Sequence, residues 1–298
     1  MRSLNGKRLV IFGCGYVGSA LARAALTAGM RVEALTRNLE KAAALRAAGL
    51  AKVVVADLST ADWHEQIAGG PDHVVDCVSS SGPDTYRQAY VGGLASIIAW
   101  AGQAALPVGT LVYTSSTSVY PQGDGVTVGE TDPTEGATPN GAIIRESETL
   151  LQAAVSSSVR RHFILRLAGI YGPDRHHLLD QLRAGHGQLA GTGGHRLNLA
   201  HRDDIVSAIL SCLSAPPSVG SQVFNVADSA PAPRAEVVCW LAGRLGRPVP
   251  GFDGSMAGRR DGAPVPDRII SNDKIQRMLG WRPQFPDYRA GYGKILSR

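Results

Sequence analysis

Three glycines at a fixed spacing carry the strongest chemical signal in the chain. Gly13-Cys14-Gly15-Tyr16-Val17-Gly18 follows a short apolar run, Lys7–Phe12, and opens a segment with helical spacing, Tyr16–Ala28. In such a loop the first glycine permits a tight turn, the second lets the backbone approach a pyrophosphate, and the third lets helix and strand pack closely. The phosphates then meet the free N–H groups and positive end of the helix. Gly13, Gly15, Tyr16, Val17 and Gly18 are therefore expected to hold a dinucleotide. The next strand, Arg31–Leu35, ends in Thr36-Arg37. An NAD site usually carries Asp or Glu there, about 20 residues past the glycines, to bind the ribose 2′-hydroxyl. A cation in that place suits a 2′-phosphate instead. Thr36 and Arg37 thus point to NADP, with NAD as the alternative. Asp57-Leu58 falls where the adenine would lie, and Ser79, Ser80 and Ser81 fall on the nicotinamide side.

Positioning these groups takes an alternation of strands and helices. Lys52–Ala56, His73–Val78, Thr110–Thr114 and Phe163–Leu167 are further apolar, strand-like runs. Between them lie the helical patterns Asn38–Ala48, stopped by Gly49, and Tyr86–Ala104. Strands that are apolar throughout and alternate with helices imply a parallel sheet covered on both faces. The expected fold is α/β, a Rossmann-type doubly wound parallel sheet over residues 1–168. Gly, Pro and His become frequent after Ala168, and residues 169–298 are expected to form a small C-terminal substrate lobe, some elements of which return to the core. A helix at Asp203–Leu213, a strand at Gln222–Val226 and a helix at Arg234–Leu245 follow. Gly251–Asp267 is expected as a loop, and Ser271–Leu279 as a last helix with Ser271 as N-cap.

Bulk properties narrow the classes. The chain has 298 residues, of which 44% are hydrophobic and 18% charged, enough for a sizeable core. A net charge of +5, carried mainly by arginine, suits an anionic ligand. No dense basic run appears and aromatics are 6%, so no nucleic-acid partner is expected. Cys14, Cys77, Cys212 and Cys239 are far apart, with no C-x-x-C pair and no histidine at ligand spacing, and no metal is expected. No signal peptide is evident, and no apolar stretch approaches the about 20 residues of a membrane span. A cytoplasmic protein with reduced thiols is the expectation.

Five segments occur in a telling order: Gly13–Gly18, Tyr113-Thr114-Ser115-Ser116-Thr117-Ser118-Val119-Tyr120, Arg166-Leu167-Ala168-Gly169-Ile170-Tyr171-Gly172-Pro173, His201-Arg202-Asp203-Asp204 and Leu279-Gly280-Trp281-Arg282-Pro283. Together they resemble the extended and atypical short-chain dehydrogenase/reductases, the group of nucleotide-sugar epimerases and dehydratases, over nearly the whole chain. The resemblance implies a catalytic Ser or Thr after the fifth strand and a Tyr-x-x-x-Lys pair on the next helix, with nicotinamide moving the hydride. Ser116 stands at the Ser position. Glu148 with Leu150-Leu151 matches the end of the usual helix, which puts Asn140 or Gly141 at the Tyr position and Ile144 or Arg145 at the Lys position. Neither alignment supplies a tyrosine. Arg145 would serve as a ribose-binding cation, but its pKa is too high for proton exchange.

The missing tyrosine leaves two readings. In one, an NADP-dependent oxidoreductase or epimerase uses another acid–base group, drawn from Tyr120, Tyr171, His177 and its neighbour His176. In the other, a sensor or regulatory protein binds the cofactor without turnover. The resemblance further implies that Arg196 contacts a sugar-nucleotide diphosphate, with Arg268 as a second fork on the same anion. A small anionic or sugar-nucleotide-like substrate follows. The Tyr86–Ala104 and Asn140–Val155 helices would form the four-helix bundle of a homodimer, as in family members.

Overall fold

The computed structural model describes residues 2–80, 82–154, 158–256 and 265–297. Seven strands form one parallel sheet: β1 (Arg8–Phe12), β2 (Arg31–Thr36), β3 (Lys52–Val55), β4 (His73–Asp76), β5 (Thr110–Ser116), β6 (His162–Leu167) and β7 (Gln222–Val226). Their order is β7-β6-β5-β4-β1-β2-β3, so the chain winds outward in both directions from the β1/β4 pair. Carboxyl ends at such a switch point leave a crevice, the usual ligand position of an open parallel sheet.

Alternate side chains of β1 feed two cores. Leu9 and Ile11 pack on one face with α1 (Tyr16–Thr27), α2 (Leu39–Ala47) and α7 (Arg202–Ser214). Val10 and Phe12 pack on the other with Trp63 and with Ile97 and Trp100 of α4 (Gly93–Gly102). Phe12 and Trp63 lie 4.9 Å apart between ring centroids, and each tryptophan N–H finds a carbonyl, Leu58 or Ile67. The doubly wound fold is what strands buried on both faces require.

The segment expected as one helix over Tyr86–Ala104 is interrupted. Pro83–Arg87 is helical (α3), Gln88–Gly92 forms a π turn, and only then does α4 begin. The turn meets α4 at the Gly92-Gly93 pair, where a Cβ on Gly93 would sit 3.2 Å from Leu58 Cδ2. Hydrophobic period cannot register the extra residue that a π turn accommodates.

C-terminal segments return to the core. β7 extends the sheet beside β6, and α7 packs on α1. The remainder builds a separate apolar cluster from α6 (His177–Arg183), α8 (Arg234–Leu245) and α10 (Tyr288–Leu296), with Leu179, Val237, Leu241 and Tyr292 buried. The stretch expected as a loop from Gly251 opens instead as a strand, Gly251–Asp253, parallel to Gln188–Ala190. Residues 257–264 of that stretch lie outside the described residues. Ser271 precedes α9 (Asp273–Leu279) by two positions and accepts the Asp273 N–H at 3.2 Å, while Asn272 holds the cap position. Asp204 ties the chain terminus down, accepting the Gln284 and Phe285 N–H groups at 2.6 and 3.1 Å.

One buried network crosses these parts. Arg166 of β6 pairs with Glu148 of α5 (Pro139–Ala153), Nη2 to Oε2 at 2.7 Å and Nε to Oε1 at 3.0 Å. Glu148 also accepts the Ser115 hydroxyl at 2.5 Å, and Arg166 Nη1 donates to the Tyr120 hydroxyl at 2.8 Å. Removing one member strands a buried charge. Arg166→Met is expected to cost about 3–5 kcal/mol in urea unfolding. The double change Arg166→Met/Glu148→Leu should recover at least half of that loss. A single-variant loss within experimental error would show that the pair holds nothing.

The acid side of stability has its own source. Burial pushes the imidazoles of His73 and His162 down to about 4. Their folded pKa lies below the unfolded value of about 6.5, so the stability they contribute is present above that value and is lost as pH falls toward 4. Unfolding free energy should therefore decline between these limits, and His73→Gln/His162→Gln should flatten the decline. A pH profile unchanged by the double variant would refute the assignment.

Candidate functional site

The glycine loop divides its work among three positions. Gly13 has φ +86°, and a Cβ there would lie 2.6 Å from the Val78 nitrogen at the end of β4. On Gly18 a Cβ would meet the Gly13 carbonyl oxygen at 2.2 Å. Above Gly15 nothing lies within 4 Å. That open space sits at the N-terminus of α1, where no side chain caps the helix and no acidic residue occupies the first turn. Its N–H groups and positive end face a crevice of about 460 Å³.

At one end of this crevice stand Thr36, Arg37, Asn38 and Lys41. Asn38 caps α2 by accepting the Lys41 N–H at 2.8 Å, and that cap brings Lys41 to the mouth beside Arg37. The sequence reading named Arg37 and missed Lys41; the available signal was its place in the first turn after a capping asparagine. Asp57 and Leu58 line the same wall. Asp57 is committed to its own turn, accepting the Ser59 N–H and hydroxyl at 2.9 and 2.8 Å, and these bonds, with Arg37, hold its carboxyl below the usual range.

Tyr16 and Val17 do not line the crevice. Val17 packs in the core. Tyr16 donates its hydroxyl to the Pro173 carbonyl at 2.7 Å, with the guanidinium groups of Arg175 and Arg202 over its ring at 5.5 and 5.2 Å. The side chain of Tyr16 therefore clasps the lobe, leaving only its backbone for a phosphate.

The opposite end is lined by Cys77, Val78, Ser79 and Ser80; Ser81 lies outside the described residues. Beneath it Asp76 is fully buried, accepting the Val78 N–H at 3.0 Å, and burial pushes its carboxyl up to about 7. Tyr86 and Tyr90, on α3 and the π turn, pack with centroids 4.5 Å apart and ring planes tilted by 45°. Tyr90 is half-buried, and the charge of Asp76 raises its pKa while that of Arg175 lowers it. Burial is the largest influence on Tyr90 and keeps it a neutral phenol at ordinary pH. Neither tyrosine was singled out from sequence, since their period is that of an ordinary helix face.

Several expected residues sit elsewhere. Ser116, half-buried at the end of β5, accepts the Ser118 N–H at 3.1 Å. Tyr120 is 2% exposed and donates to Asn225 Oδ1 at 2.8 Å while accepting from Arg166, so it belongs to the core network and not to the crevice. Tyr171 is 3% exposed, and a Cβ on Gly291 of α10 would lie 1.7 Å from its hydroxyl oxygen, so the phenol points into the lobe interface. Arg145 pairs with Glu135 at 3.2 Å on the exposed side of α5, while Ile144 takes the buried position. The expected ribose contact from Arg145 is thus replaced by an apolar side chain facing inward. Arg196 and Arg268 do not converge on one anion. Arg196 binds Asp267 through its N–H at 2.8 Å and Nη1 at 2.7 Å. Arg268 is buried and donates to the carbonyls of Thr117, Tyr120 and Gln122.

A second cavity, of about 800 Å³, opens in the lobe. Arg175, His177, His195 and Arg234 line it, along with Ile170, Leu178 and Met256. Arg175 lines this cavity while its guanidinium lies over the Tyr16 ring.

Comparison with known proteins agrees with this layout. Residues 9–227 match the NAD dependent epimerase/dehydratase family. Protein YeeZ of Escherichia coli (strain K12) is 29% identical over 94% of this chain and 97% of its own. A 3-diazoavenalumate denitrifying reductase from Streptomyces sp is 27% identical over 96% of this chain and 99% of its own. Among solved structures, MoeE5 in complex with UDP-glucuronic acid and NAD superposes with a TM-score of 0.82 at 22% identity, covering 97% of this chain and 98% of that one. The chain belongs to the NAD-dependent epimerase/dehydratase family. It is accordingly of the epimerase and oxidoreductase class that works with a nicotinamide cofactor.

The glycine geometry separates two variants. Gly18→Ala should unfold at markedly lower denaturant, because backbone must shift to relieve the contact with Gly13. Gly15→Ala should leave stability within about 0.5 kcal/mol yet abolish dinucleotide binding by calorimetry, because its methyl would occupy the phosphate's approach. Equal loss of stability in both would overturn this division.

Proposed function

We propose that this chain is an NADP-dependent oxidoreductase or epimerase acting on a small anionic molecule, without the usual tyrosine–lysine pair. The observation that carries this reading is the pairing of Arg37 and Lys41 at the ribose end of a glycine-loop crevice, where the nearest carboxylate, Asp57, is already bound by Ser59. Two cations there favour a 2′-phosphate over a bare 2′-hydroxyl. The cofactor, held by the Gly15 opening and the α1 N-terminus, supplies the hydride chemistry.

Tyr90 is the phenol placed to replace the missing tyrosine. It is half-buried on the π turn whose Gln88 and Ala89 line the crevice, and it packs beside Tyr86. A neutral phenol suits proton donation to a substrate oxygen that gains charge. Ser116 is the second hydroxyl at the sheet's edge, and His177 is the imidazole of the neighbouring cavity. Tyr120 is engaged by Asn225 and Arg166; Tyr171 lines the lobe cavity with its hydroxyl buried toward Gly291, and neither is part of this scheme. Ile144 at the lysine position favours a second reading, a cofactor-binding sensor without turnover.

NADPH should bind more tightly than NADH by about 10- to 100-fold, the equivalent of one charge-assisted contact. Arg37→Ala/Lys41→Ala should remove that preference with little effect on NADH. Equal wild-type affinities by calorimetry would refute the NADP assignment. With any substrate that turns over, Tyr90→Phe should lower kcat by about 10²–10⁴-fold at unchanged NADPH affinity. An unchanged kcat would move the role to His177, and no turnover across a broad panel would favour the sensor.

A further inference from the structure

Two arginines expected to bind a diphosphate are already committed. Asp267 neutralises Arg196, and three backbone carbonyls engage Arg268. Neither lines the lobe cavity. Among the described residues, the cations that do are Arg175 and Arg234, and they serve different ends. Arg175 covers the glycine-loop tyrosine, close to the cofactor side.

Arg234 stands at the first position of α8, a helix of 12 residues, and its backbone N–H donates to the His195 carbonyl at 2.9 Å. Its Nη1 is used on the carbonyls of Ala190 and Thr192, and its plane lies 5.1 Å over the Phe252 ring. That leaves Nε and Nη2, one edge of the fork, without a protein acceptor among the described bonds. One guanidinium edge matches one carboxylate. His195 adds an independent sign. It lines the same cavity, is 8% exposed, and its Nδ1 has no hydrogen-bond partner. Burial and the neighbouring Arg234 hold its pKa below the usual value, so it remains a neutral imidazole with a donor and an acceptor to offer. Ile170, Leu178, Leu199, Met256 and Tyr292 give the space an apolar side, and His177, Gln181 and Thr192 line it as well.

We infer that the lobe cavity takes a monocarboxylate with an apolar or aromatic body, its carboxylate on Arg234 and His195 and its other end toward Arg175. This rests on the proposed oxidoreductase only in taking the cavity as the substrate site.

The test uses the full chain saturated with NADP⁺ and three probes: trans-cinnamate, its uncharged analogue cinnamyl alcohol, and UDP-glucose. Cinnamate should bind by calorimetry at least tenfold more tightly than either of the others. Arg234→Gln should reduce cinnamate affinity at least tenfold while leaving cinnamyl alcohol unchanged. His195→Phe, which keeps the ring volume, should reduce it by a smaller factor. NADPH affinity is measured on every variant, so a folding defect or failure of the cofactor reading shows in that titration and not in the ratio of probes. UDP-glucose binding more tightly than cinnamate, or the alcohol binding as well as the acid, would overturn the inference.

Discussion

The buried pair between Glu148 and Arg166 is the constraint on which the rest of the site depends. It joins α5 to β6, and through Ser115 and Tyr120 it reaches the end of β5 and the turn that follows. Asn225 of β7 closes the circuit by accepting from Tyr120 and donating its own N–H to Glu130 at 2.7 Å. Every strand on this half of the sheet is therefore tied at its carboxyl end, where the crevice lies. Charges buried this way are costly to bring in from water and costly to separate afterward, which suits an element whose task is to fix geometry. The network also explains why the tyrosine of the Ser116–Tyr120 segment is chemically silent: its oxygen is already both donor and acceptor.

Fixing that half leaves the variable chemistry to segments that cross it. The α3–α4 segment brings Thr85, Gln88 and Ala89 to the crevice, the α2 cap brings Lys41 to its mouth, and the segment after β6 brings Arg175 over Tyr16. None of these groups lies on a sheet strand. A rigid floor with functional groups on connecting segments is the common division of labour in open α/β sheets.

This division also decides what could be read from sequence. Apolar runs and glycine spacing are local, and the six strands expected up to Leu167, the loop Gly13–Gly18, and the return of Gln222–Val226 as a strand were legible because nothing distant alters them. Partner identity is not local. Arg196 and Arg268 looked like ligand contacts until Asp267 and the Thr117–Gln122 carbonyls were brought against them by folding. Tyr120 and Tyr171 looked available because a motif does not say which side of a strand end a ring falls on. Conversely Tyr90, Arg234 and His195 carried no distinctive spacing. Their significance arises from which of their polar atoms stay uncommitted after packing, a property of the folded chain alone.

The π turn at Gln88–Gly92 has one more implication. A π turn is geometrically an α-helix with one residue inserted, and each residue of an α-helix advances the chain by about 100° around its axis. A lineage that lost a single residue here would regain a straight helix and every backbone bond of it, but would rotate the Tyr86 face away from whatever Tyr90 faces. The two rings would no longer pack together, and another side chain would take the place of Tyr90. The identity of the group at that place is thus set by a length change in the chain as much as by a substitution, and homologues aligned without a gap at this turn would be compared at the wrong residue.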